Sequence, residues 1–335
     1  MKIVIITDAW KPQVNGVVNS LSKIAEGLTQ KGHNVEIIGP NQFKTIACPT
    51  YPSIRLALFS KKKLKKLLFK IKPESIHIAT EGPLGLAGRK ICIQNKWRFT
   101  TSYHTRFPEY IKARIPIPLW LTYKFLKNFH SAAHKTLVPT ISIKKMLESR
   151  GFKNIDIWSR GVDQNIFKPV KKKEESSYTK PVMVYVGRVS VEKNIEDFLK
   201  ININGSKIII GDGPDLRKLK HKYKNVIFLG EKFGKELANI VASSDVFVFP
   251  SLTDTFGIVL IEALACGIPV AAYPVSGPID IIENGVNGSL NRDLETAIKD
   301  ALKISKEECI KKAKQYTWQS STNQFESSLT PIKIL

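Results

Sequence analysis

Asp254 and Glu262 are two carboxylates that stand eight residues apart around the predicted start of a helix. Residues 246–250 form a near-continuous apolar run, which is typical of a strand covered on both faces of a parallel sheet. Residues 258–266 carry apolar side chains at helical spacing, and Gly267 follows as a helix stop. Asp254 should therefore lie on the connecting loop, with Glu262 about one turn into the helix.

The start of this helix, close to Phe256 and Gly257, is suited to an anion. A helix N-terminus has unpaired N–H groups and a partial positive charge, and Gly257 would let a phosphate approach the backbone. The two carboxylates could then hold two parts of one ligand, and the hydroxyls of a sugar suit such acceptors. The alternative is that Asp254 is only an N-terminal cap and that Glu262 is a solvated helix residue.

The segment resembles the Glu-x7-Glu signature of the family-four retaining glycosyltransferases, with Asp254 in place of the usual first Glu. The resemblance implies a GT-B fold, in which two facing Rossmann-like α/β domains enclose a deep cleft. It also implies that the first carboxylate contacts hydroxyls of the donor sugar and that Glu262 contacts the nucleotide ribose. Because Asp is shorter than Glu, this substitution bears on which sugar is used.

A second motif supplies cations. The predicted strand 182–186 runs into Gly187 and Arg188, and Lys193 follows after a short loop, which resembles the family's G-R-x4-K motif. Negative charge grows on the donor diphosphate when the glycosidic bond breaks, and fixed cations can stabilise it without a metal. No Asp-x-Asp metal motif occurs in the sequence. The alternative is a pair of surface cations in a lysine-rich protein.

Two further positions match the family in the first half of the chain. His104 follows a predicted strand, and the resemblance implies that it contacts the donor sugar near the reacting carbon, to stabilise positive charge or relay a proton. Gly16, after Asn15, resembles the family's N-terminal glycine loop, although an ordinary turn explains it too. The predicted catalytic residues are His104, Arg188, Lys193 and Asp254. The predicted donor-binding residues are Gly16, Arg188, Lys193, Asp254, Phe256, Gly257, Ile258, Val259 and Glu262.

The composition permits two domains of ordinary size in 335 residues, of which 43% are hydrophobic. The formal net charge of +23 predicts attraction to nucleic acid, anionic lipid or phosphorylated ligands. The four cysteines lie far apart, which disfavours a zinc site or a disulfide framework. The N-terminal apolar run is too short for a signal peptide, and no segment reaches the roughly 18 apolar residues of a membrane span. We expect a cytoplasmic protein, peripheral on the cytosolic face of the membrane.

The alternation of predicted strands and helices indicates two doubly wound domains. Residues 1–165 are predicted to form an N-terminal Rossmann-like, acceptor-binding domain. Residues 166–180 are predicted to be a linker, and 181–315 a C-terminal Rossmann-like domain that binds the nucleotide sugar. The resemblance implies that a helix at about 316–335 crosses back to the first domain.

Residues 61–72 predict a basic amphipathic helix that could bind an anionic bilayer. The alternative is that its leucines pack on the sheet while its lysines face water. A second apolar stretch, 110–129, could line a site for an apolar acceptor. The predicted acceptor or membrane residues are Lys61, Lys62, Lys63, Lys65, Lys66, Tyr110 and Trp120.

The sequence therefore predicts a metal-independent, retaining transferase without a cofactor. It would move a hexose or hexuronic acid from a UDP- or GDP-linked donor to a membrane lipid, with diacylglycerol the expected acceptor. The rival hypotheses are transfer to a polysaccharide or other soluble acceptor, sugar epimerisation within the same fold, and a basic nucleic-acid-binding protein. The last is disfavoured because the basic run lacks interleaved aromatic residues, so nucleic acid is not an expected partner. The oligomeric state is left open.

Overall fold

The computed structural model describes residues 1–13, 15–48, 51–112, 115–170 and 178–332, with only the backbone of 51–53. The chain divides into two compact units. The first comprises Met1–Pro108, Pro116–Arg160 and Trp318–Leu335, and the second comprises Glu109–Ile115 and Gly161–Thr317. Residues 171–177 of the predicted linker lie outside the described residues.

The first unit is built on a six-stranded, fully parallel sheet with strand order β2-β1-β5-β6-β7-β8. A separate antiparallel pair, β3 and β4, precedes the second helix. The strands are β1 (Lys2–Ile6), β2 (Asn34–Ile38), β3 (Thr45–Cys48), β4 (Tyr51–Ala57), β5 (Ser75–Ile78), β6 (Thr100–Ser102), β7 (Lys135–Val138) and β8 (Ile155–Ile157). The helices are α1 (Gly16–Gln30), α2 (Ser60–Ile71), α3 (Pro83–Gln94), α5 (Leu119–His130) and α6 (Ile141–Glu148). Helix α4 (Phe107–Lys112) begins in this unit, but its residues from Glu109 onwards group with the second unit.

Helix α1 shows how the sequence defines an element of this unit. The Asn15 side chain accepts hydrogen bonds from the N–H groups of Val17 and Val18, both at 3.0 Å, and so caps the helix. Leu21 and Leu28 recur on one face and are buried, which holds the helix against the sheet. With β1 and β2, which pair in parallel, α1 forms a βαβ unit.

The second unit is also built on a six-stranded, fully parallel sheet, with strand order β11-β10-β9-β12-β13-β14. Its strands are β9 (Val182–Val186), β10 (Ser206–Ile210), β11 (Ile227–Gly230), β12 (Val246–Phe249), β13 (Val270–Ala272) and β14 (Gly288–Leu290). Its helices are α7 (Ile195–Lys200), α8 (Leu216–Lys222), α9 (Gly234–Ala242), α10 (Ile258–Ala265), α11 (Pro278–Ile281), α12 (Leu294–Ala301) and α13 (Lys306–Ala313). The predicted α/β class with two parallel sheets is confirmed.

The last helix, α14 (Trp318–Ser328), groups with the first unit. Its Phe325 is fully buried and packs on Trp158, with ring centroids 4.9 Å apart. The indole N–H of Trp158 donates to Ser321 Oγ at 3.1 Å, and Gln324 Oε1 accepts from the N–H of Ser159 at 2.8 Å. The core of the first unit is therefore completed by residues from the end of the chain.

Across the described ranges, none of the helices combines the length and the apolar character that spanning a membrane requires.

Candidate functional site

The loop after β12 leads directly into helix α10, as the sequence predicts. Gly257 stands immediately before the helix with φ of +84°, a left-handed conformation that favours glycine. A Cβ at this position would lie 3.1 Å from the Leu260 side chain and 3.3 Å from Phe249. The chain therefore turns tightly from the loop into the helix, whose first N–H groups have no intrahelical partner. This helix start has the local features of an anion site.

Lys193 and Asp254 form an ion pair on the approach to this helix. Lys193 ends a short 3-10 helix, Val191–Lys193, and its Nζ lies 2.6 Å from Asp254 Oδ2. Both side chains are only 16% exposed. Burial alone would lower the pKa of Lys193, but Asp254 and two neighbouring tyrosines outweigh it and raise the pKa. The ammonium is therefore a fixed cation throughout the physiological range.

The two tyrosines are Tyr110 and Tyr185. Tyr110 lies on α4, in the Glu109–Ile115 segment that groups with the second unit, and it is hydrogen-bonded to Lys193. Burial raises the pKa of Tyr110, so the phenol stays neutral. Tyr185 is buried in β9 and donates to the carbonyl of Arg188 at 2.9 Å. It thereby links the turn that carries Arg188 to the Lys193 and Asp254 pair, with which it also interacts electrostatically.

Glu262 lies on α10, in the fifth position of the helix. Its side chain is half-buried, and burial raises the pKa of its carboxyl to about 7. The second unit thus places the Lys193 and Asp254 pair just before this helix and Glu262 within it. This arrangement confirms the predicted placement of Asp254 on the loop and Glu262 one turn into the helix.

The first unit places His104 two residues beyond β6, at the carboxyl end of that strand, as predicted. Its Nδ1 lies 3.2 Å from Nη2 of Arg160. Gly16 is the first residue of α1, so the Asn15-Gly16 pair forms a helix start. The first unit also contains a buried carboxylate, Asp8, which caps α3 by accepting from the N–H groups of Leu84 at 2.8 Å and Gly85 at 3.2 Å.

Known protein families match nearly the whole chain. Residues 14–165 match the model described as Glycosyltransferase Family 4, and residues 167–316 match Glycosyl transferases group 1. The chain is 30% identical to the alpha-monoglucosyldiacylglycerol synthase of Acholeplasma laidlawii, over 91% of this chain and 88% of that protein. It belongs to glycosyltransferase family 4.

Other similarities agree with this membership. The chain is 29% identical to a GDP-mannose-dependent alpha-mannosyltransferase of Mycobacterium tuberculosis, over 84% of this chain and 81% of that protein. Among solved structures, the Anabaena protein Alr3699/HepE in complex with UDP and glucose superposes with a TM-score of 0.73. That alignment covers 98% of this chain and 99% of the other at 16% identity, so it supports the fold of this family-4 glycosyltransferase.

Sequence reasoning missed three features of this family-4 glycosyltransferase. Tyr110 was predicted on the acceptor side, yet it contacts Lys193, a predicted donor residue. In the sequence, nothing distinguishes Tyr185 from other strand residues, or Arg160 from the other cations of a basic chain. The Tyr110–Lys193 and Arg160–His104 contacts join residues far apart in sequence, so no local pattern indicates them.

The predicted acceptor or membrane residues fall on three helices of the glycosyltransferase, namely α2, α4 and α5. On α2, Leu64 and Leu68 are buried in the core of the first unit. The exposed positions of this helix include Lys62, Lys63, Lys65 and Lys66, while Lys61 is half-buried. The alternative arrangement, with leucines inward and lysines in water, is therefore the one observed.

In the second apolar stretch, 110–129, the apolar side chains of helix α5 are partly buried and partly exposed. Tyr123, Leu126 and Phe129 are buried, whereas Trp120 is 66% exposed and Phe125 is 42% exposed. Only the outer face of this helix remains available to an apolar partner.

Within the described part of the chain, no group of three or more His, Cys, Asp or Glu side chains is arranged to hold a metal ion.

Proposed function

We propose that the protein is a retaining, metal-independent hexosyltransferase that transfers a sugar from a UDP- or GDP-linked donor to a membrane lipid. The observation that carries the proposal is the half-buried Lys193 and Asp254 pair, at 2.6 Å, beside the start of α10. A cation and a sugar-binding carboxylate at one helix start suit a sugar diphosphate. The structural relative bound to UDP and glucose supports the use of such a donor.

In the proposed mechanism, the bond between the anomeric carbon of the sugar and the diphosphate oxygen breaks. Its electron pair goes to that oxygen, where Arg188, Lys193 and the N–H groups at the start of α10 would stabilise the charge. The acceptor hydroxyl attacks from the same face of the sugar, and the departing phosphate oxygen takes its proton. Glu262 would hold the ribose hydroxyls, and Asp254 and His104 would position the sugar.

The proposal of a lipid acceptor, with diacylglycerol the first candidate, has support from sequence and from surface chemistry. The relative from Acholeplasma laidlawii is named for the synthesis of a glucosylated diacylglycerol. Next to the lysine face of α2, Phe59 is 95% exposed and has φ of +48°. A bulky residue with positive φ is uncommon, and an exposed aromatic ring beside lysines suits the interface of an anionic bilayer. We therefore propose peripheral attachment to the cytosolic face of the membrane.

The proposal can be tested with a panel of labelled UDP- and GDP-sugars, including glucose, galactose, glucuronic acid and mannose. Each is incubated with phosphatidylglycerol vesicles with and without diacylglycerol, and products are identified by mass spectrometry. A glycosyl-diacylglycerol would support the proposal and name the donor. Nucleotide-sugar binding without a lipid product would redirect the search to a soluble acceptor, and conversion of the nucleotide sugar itself would indicate an epimerase. Salt-dependent binding of duplex DNA with no sugar transfer would favour the nucleic-acid hypothesis.

Metal independence is a separate prediction. Arg188 and Lys193 are proposed to stabilise the diphosphate in place of a divalent metal ion. An excess of EDTA should therefore leave the initial rate of transfer within about twofold of its value in Mg²⁺. Apoprotein prepared by chelation and then assayed with and without added Mg²⁺ or Mn²⁺ provides the check. A loss of activity that is restored by one metal would refute this part of the proposal.

Neutralising α2 should weaken membrane binding. Replacing Lys61, Lys62, Lys65 and Lys66 with glutamine should reduce the affinity for phosphatidylglycerol vesicles at least about a hundredfold, since each lysine contributes about 1 kcal/mol near an anionic surface. Vesicle co-sedimentation at low and high salt measures the change.

The matched control removes the same charge from the second unit. It replaces four exposed lysines on and beside α13 and α12 with glutamine, namely Lys303, Lys306, Lys311 and Lys314. Equal losses in the two quadruple variants would show that net charge matters and that α2 has no special role. Phe59→Ser in the native background tests whether the exposed ring adds a contribution that salt does not screen.

A further inference from the structure

Three histidines of the first unit have well-defined hydrogen-bond partners. His77 lies between the hydroxyls of Thr100 and Ser102, each at 2.8 Å from one ring nitrogen. His130 contacts Thr101 Oγ1 at 2.9 Å through Nδ1 and Glu81 Oε1 at 3.2 Å through Nε2. Hydroxyl groups can donate or accept, so His77 accommodates either tautomer.

His104 differs from these two because its Nδ1 faces a guanidinium. The partner is Nη2 of Arg160, at 3.2 Å. Arginine has only donors and no acceptor. The contact is therefore a hydrogen bond only if Nδ1 of His104 carries a lone pair. A neutral imidazole with a bare Nδ1 has its single proton on Nε2.

Arg160 is held firmly in the geometry that this contact needs. Its side chain is 4% exposed, and its Nη1 donates to the carbonyl oxygens of Trp158 at 2.5 Å and Ser159 at 3.2 Å. The guanidinium also lies 4.0 Å from the centre of the Trp158 ring, a cation–π contact. Helix α14 fixes this segment in turn, through the bonds of Ser321 and Gln324 described above. The arginine is thus a rigid donor and not a mobile surface cation.

The charge on Arg160 has no carboxylate partner within the described residues. Burial lowers the pKa of Arg160 to about 9, which leaves it protonated at neutral pH. A second proton on His104 would both replace the accepting lone pair and place like charges in contact. The imidazolium form of His104 is therefore disfavoured twice, by lost hydrogen bonding and by repulsion.

We propose that Arg160 is a positioning residue that holds His104 as a neutral imidazole with its proton on Nε2, so that His104 donates a hydrogen bond and does not act as a base. The tautomer follows from the first unit alone. The statement that the sugar receives this hydrogen bond rests on the proposed function. Of the two roles suggested by the sequence for His104, proton relay is thereby set aside, because the lone pair that would accept a proton is already bonded to Arg160.

The basic side chains around His104 act in the same direction as burial. Burial is the largest cause that lowers the pKa of His104, followed by Arg160, His77 and His130, and the pKa lies well below its usual range. The carboxylate that contacts His130 is Glu81, and it is hydrogen-bonded to Nε2 of that histidine. His104 should consequently remain neutral from about pH 5.5 to 8.5.

Nitrogen NMR of the full-length protein, labelled with ¹⁵N at histidine, tests the proposal directly. The His104 signals are assigned by their loss in His104→Gln. In the native protein, Nδ1 should show the shift of an unprotonated nitrogen and Nε2 that of a protonated one, without titration from pH 5.5 to 8.5. Arg160→Met removes the donor, and the population with the proton on Nδ1 should rise to a detectable level. Arg160→Lys keeps a charged donor and should preserve the native tautomer.

The matched control is Arg89→Met. Arg89 donates to the backbone carbonyls of Asn128 and Phe129 in the same unit, and its loss should leave the His104 signals unchanged. A native spectrum with the proton on Nδ1, or an imidazolium that titrates in this range, would overturn the proposal. So would an Arg160→Met protein with the native tautomer. If Arg160→Met fails to fold, the proposal is still tested by the His104 tautomer in the native protein and in Arg160→Lys.

A second measurement separates donor from base in the reaction. Glutamine can donate through its amide but cannot act as a base at neutral pH. Against the donor panel described above, His104→Gln should retain at least about a tenth of the native turnover, whereas His104→Ala should lose about a hundredfold. Equal losses in both would contradict the donor role. The NMR result needs no sugar substrate, so it stands or falls independently of the proposed function.

Discussion

Lys193→Ala should lower the turnover number about 100- to 1,000-fold, the range found when one preorganised group that stabilises developing charge is removed. The expected reason is the loss of a fixed cation at the departing diphosphate. Arg188→Ala should act in the same direction. Turnover and KM are measured for each variant with the donor that the panel identifies, at a temperature well below unfolding. Near-normal turnover in both variants would refute the assignment of the diphosphate site.

The ion pair adds a structural effect that must be separated from the chemical one. Lys193→Ala leaves the half-buried Asp254 carboxylate without its partner, which should reduce the free energy of unfolding by about 1–3 kcal/mol. The double variant Lys193→Ala, Asp254→Asn removes the unpaired charge. It should recover most of the lost stability and none of the turnover.

Lys222→Ala is the surface control for this pair of variants. Lys222 forms an ion pair with Glu196 but is 53% exposed, so its removal should change neither stability nor turnover appreciably. If the double variant regained turnover together with stability, Lys193 would have a structural role only.

Glu262→Gln should stabilise the protein at pH 8 and weaken its binding of UDP. Burial raises the pKa of Glu262 to about 7, above its usual value of 4.5. Between these two pH values the folded state holds a proton that the unfolded state has released. Stability therefore falls as pH rises through this interval, and at pH 8 the ionised carboxylate costs about 3 kcal/mol. Glutamine removes that cost at pH 8, and at pH 4.5 or below the two proteins should be equally stable.

The same substitution should cost affinity for the nucleotide. A carboxylate makes charge-assisted hydrogen bonds to hydroxyls, which are worth about 1.5–3 kcal/mol, so UDP should bind roughly tenfold to a hundredfold more weakly. Chemical denaturation at pH 4.5 and pH 8, with calorimetric titration of UDP, measures both effects. Glu308→Gln, on α13 at the surface, is the control for the loss of one negative charge. A gain in stability that is independent of pH, or an unchanged affinity for UDP, would contradict this account.

The sequence predicts the framework well where a local pattern is strong. The strand predicted within residues 246–250 is observed as Val246–Phe249, because four consecutive apolar residues followed by proline favour a buried strand that ends at the proline. The start of α10 follows from Gly257 and the apolar spacing after it. By contrast, β3, β4 and the division of α5 into buried and exposed faces were not predicted, since their pairing and burial depend on distant parts of the chain.

The site was predictable to the same extent. The motifs correctly placed Arg188 and Lys193 after a strand, Asp254 on a loop and Glu262 on a helix, because spacing along these elements is local. The contact between Arg160 and His104 spans 56 residues, so only a structure reveals it. The pKa of Glu262 is also invisible in the sequence, because it arises from the burial of the helix and not from its neighbours in the chain.

The docking of α14 has a consequence for biosynthesis. Phe325 and Ser321 complete the packing around Trp158, yet they leave the ribosome after the whole of the second unit has been made. The first unit can therefore collapse early during translation but cannot reach its final core until the last helix arrives. The second unit has all of its strands by Leu290 and does not wait for that helix. The half of the protein that is synthesised first is thus the half that should finish folding last.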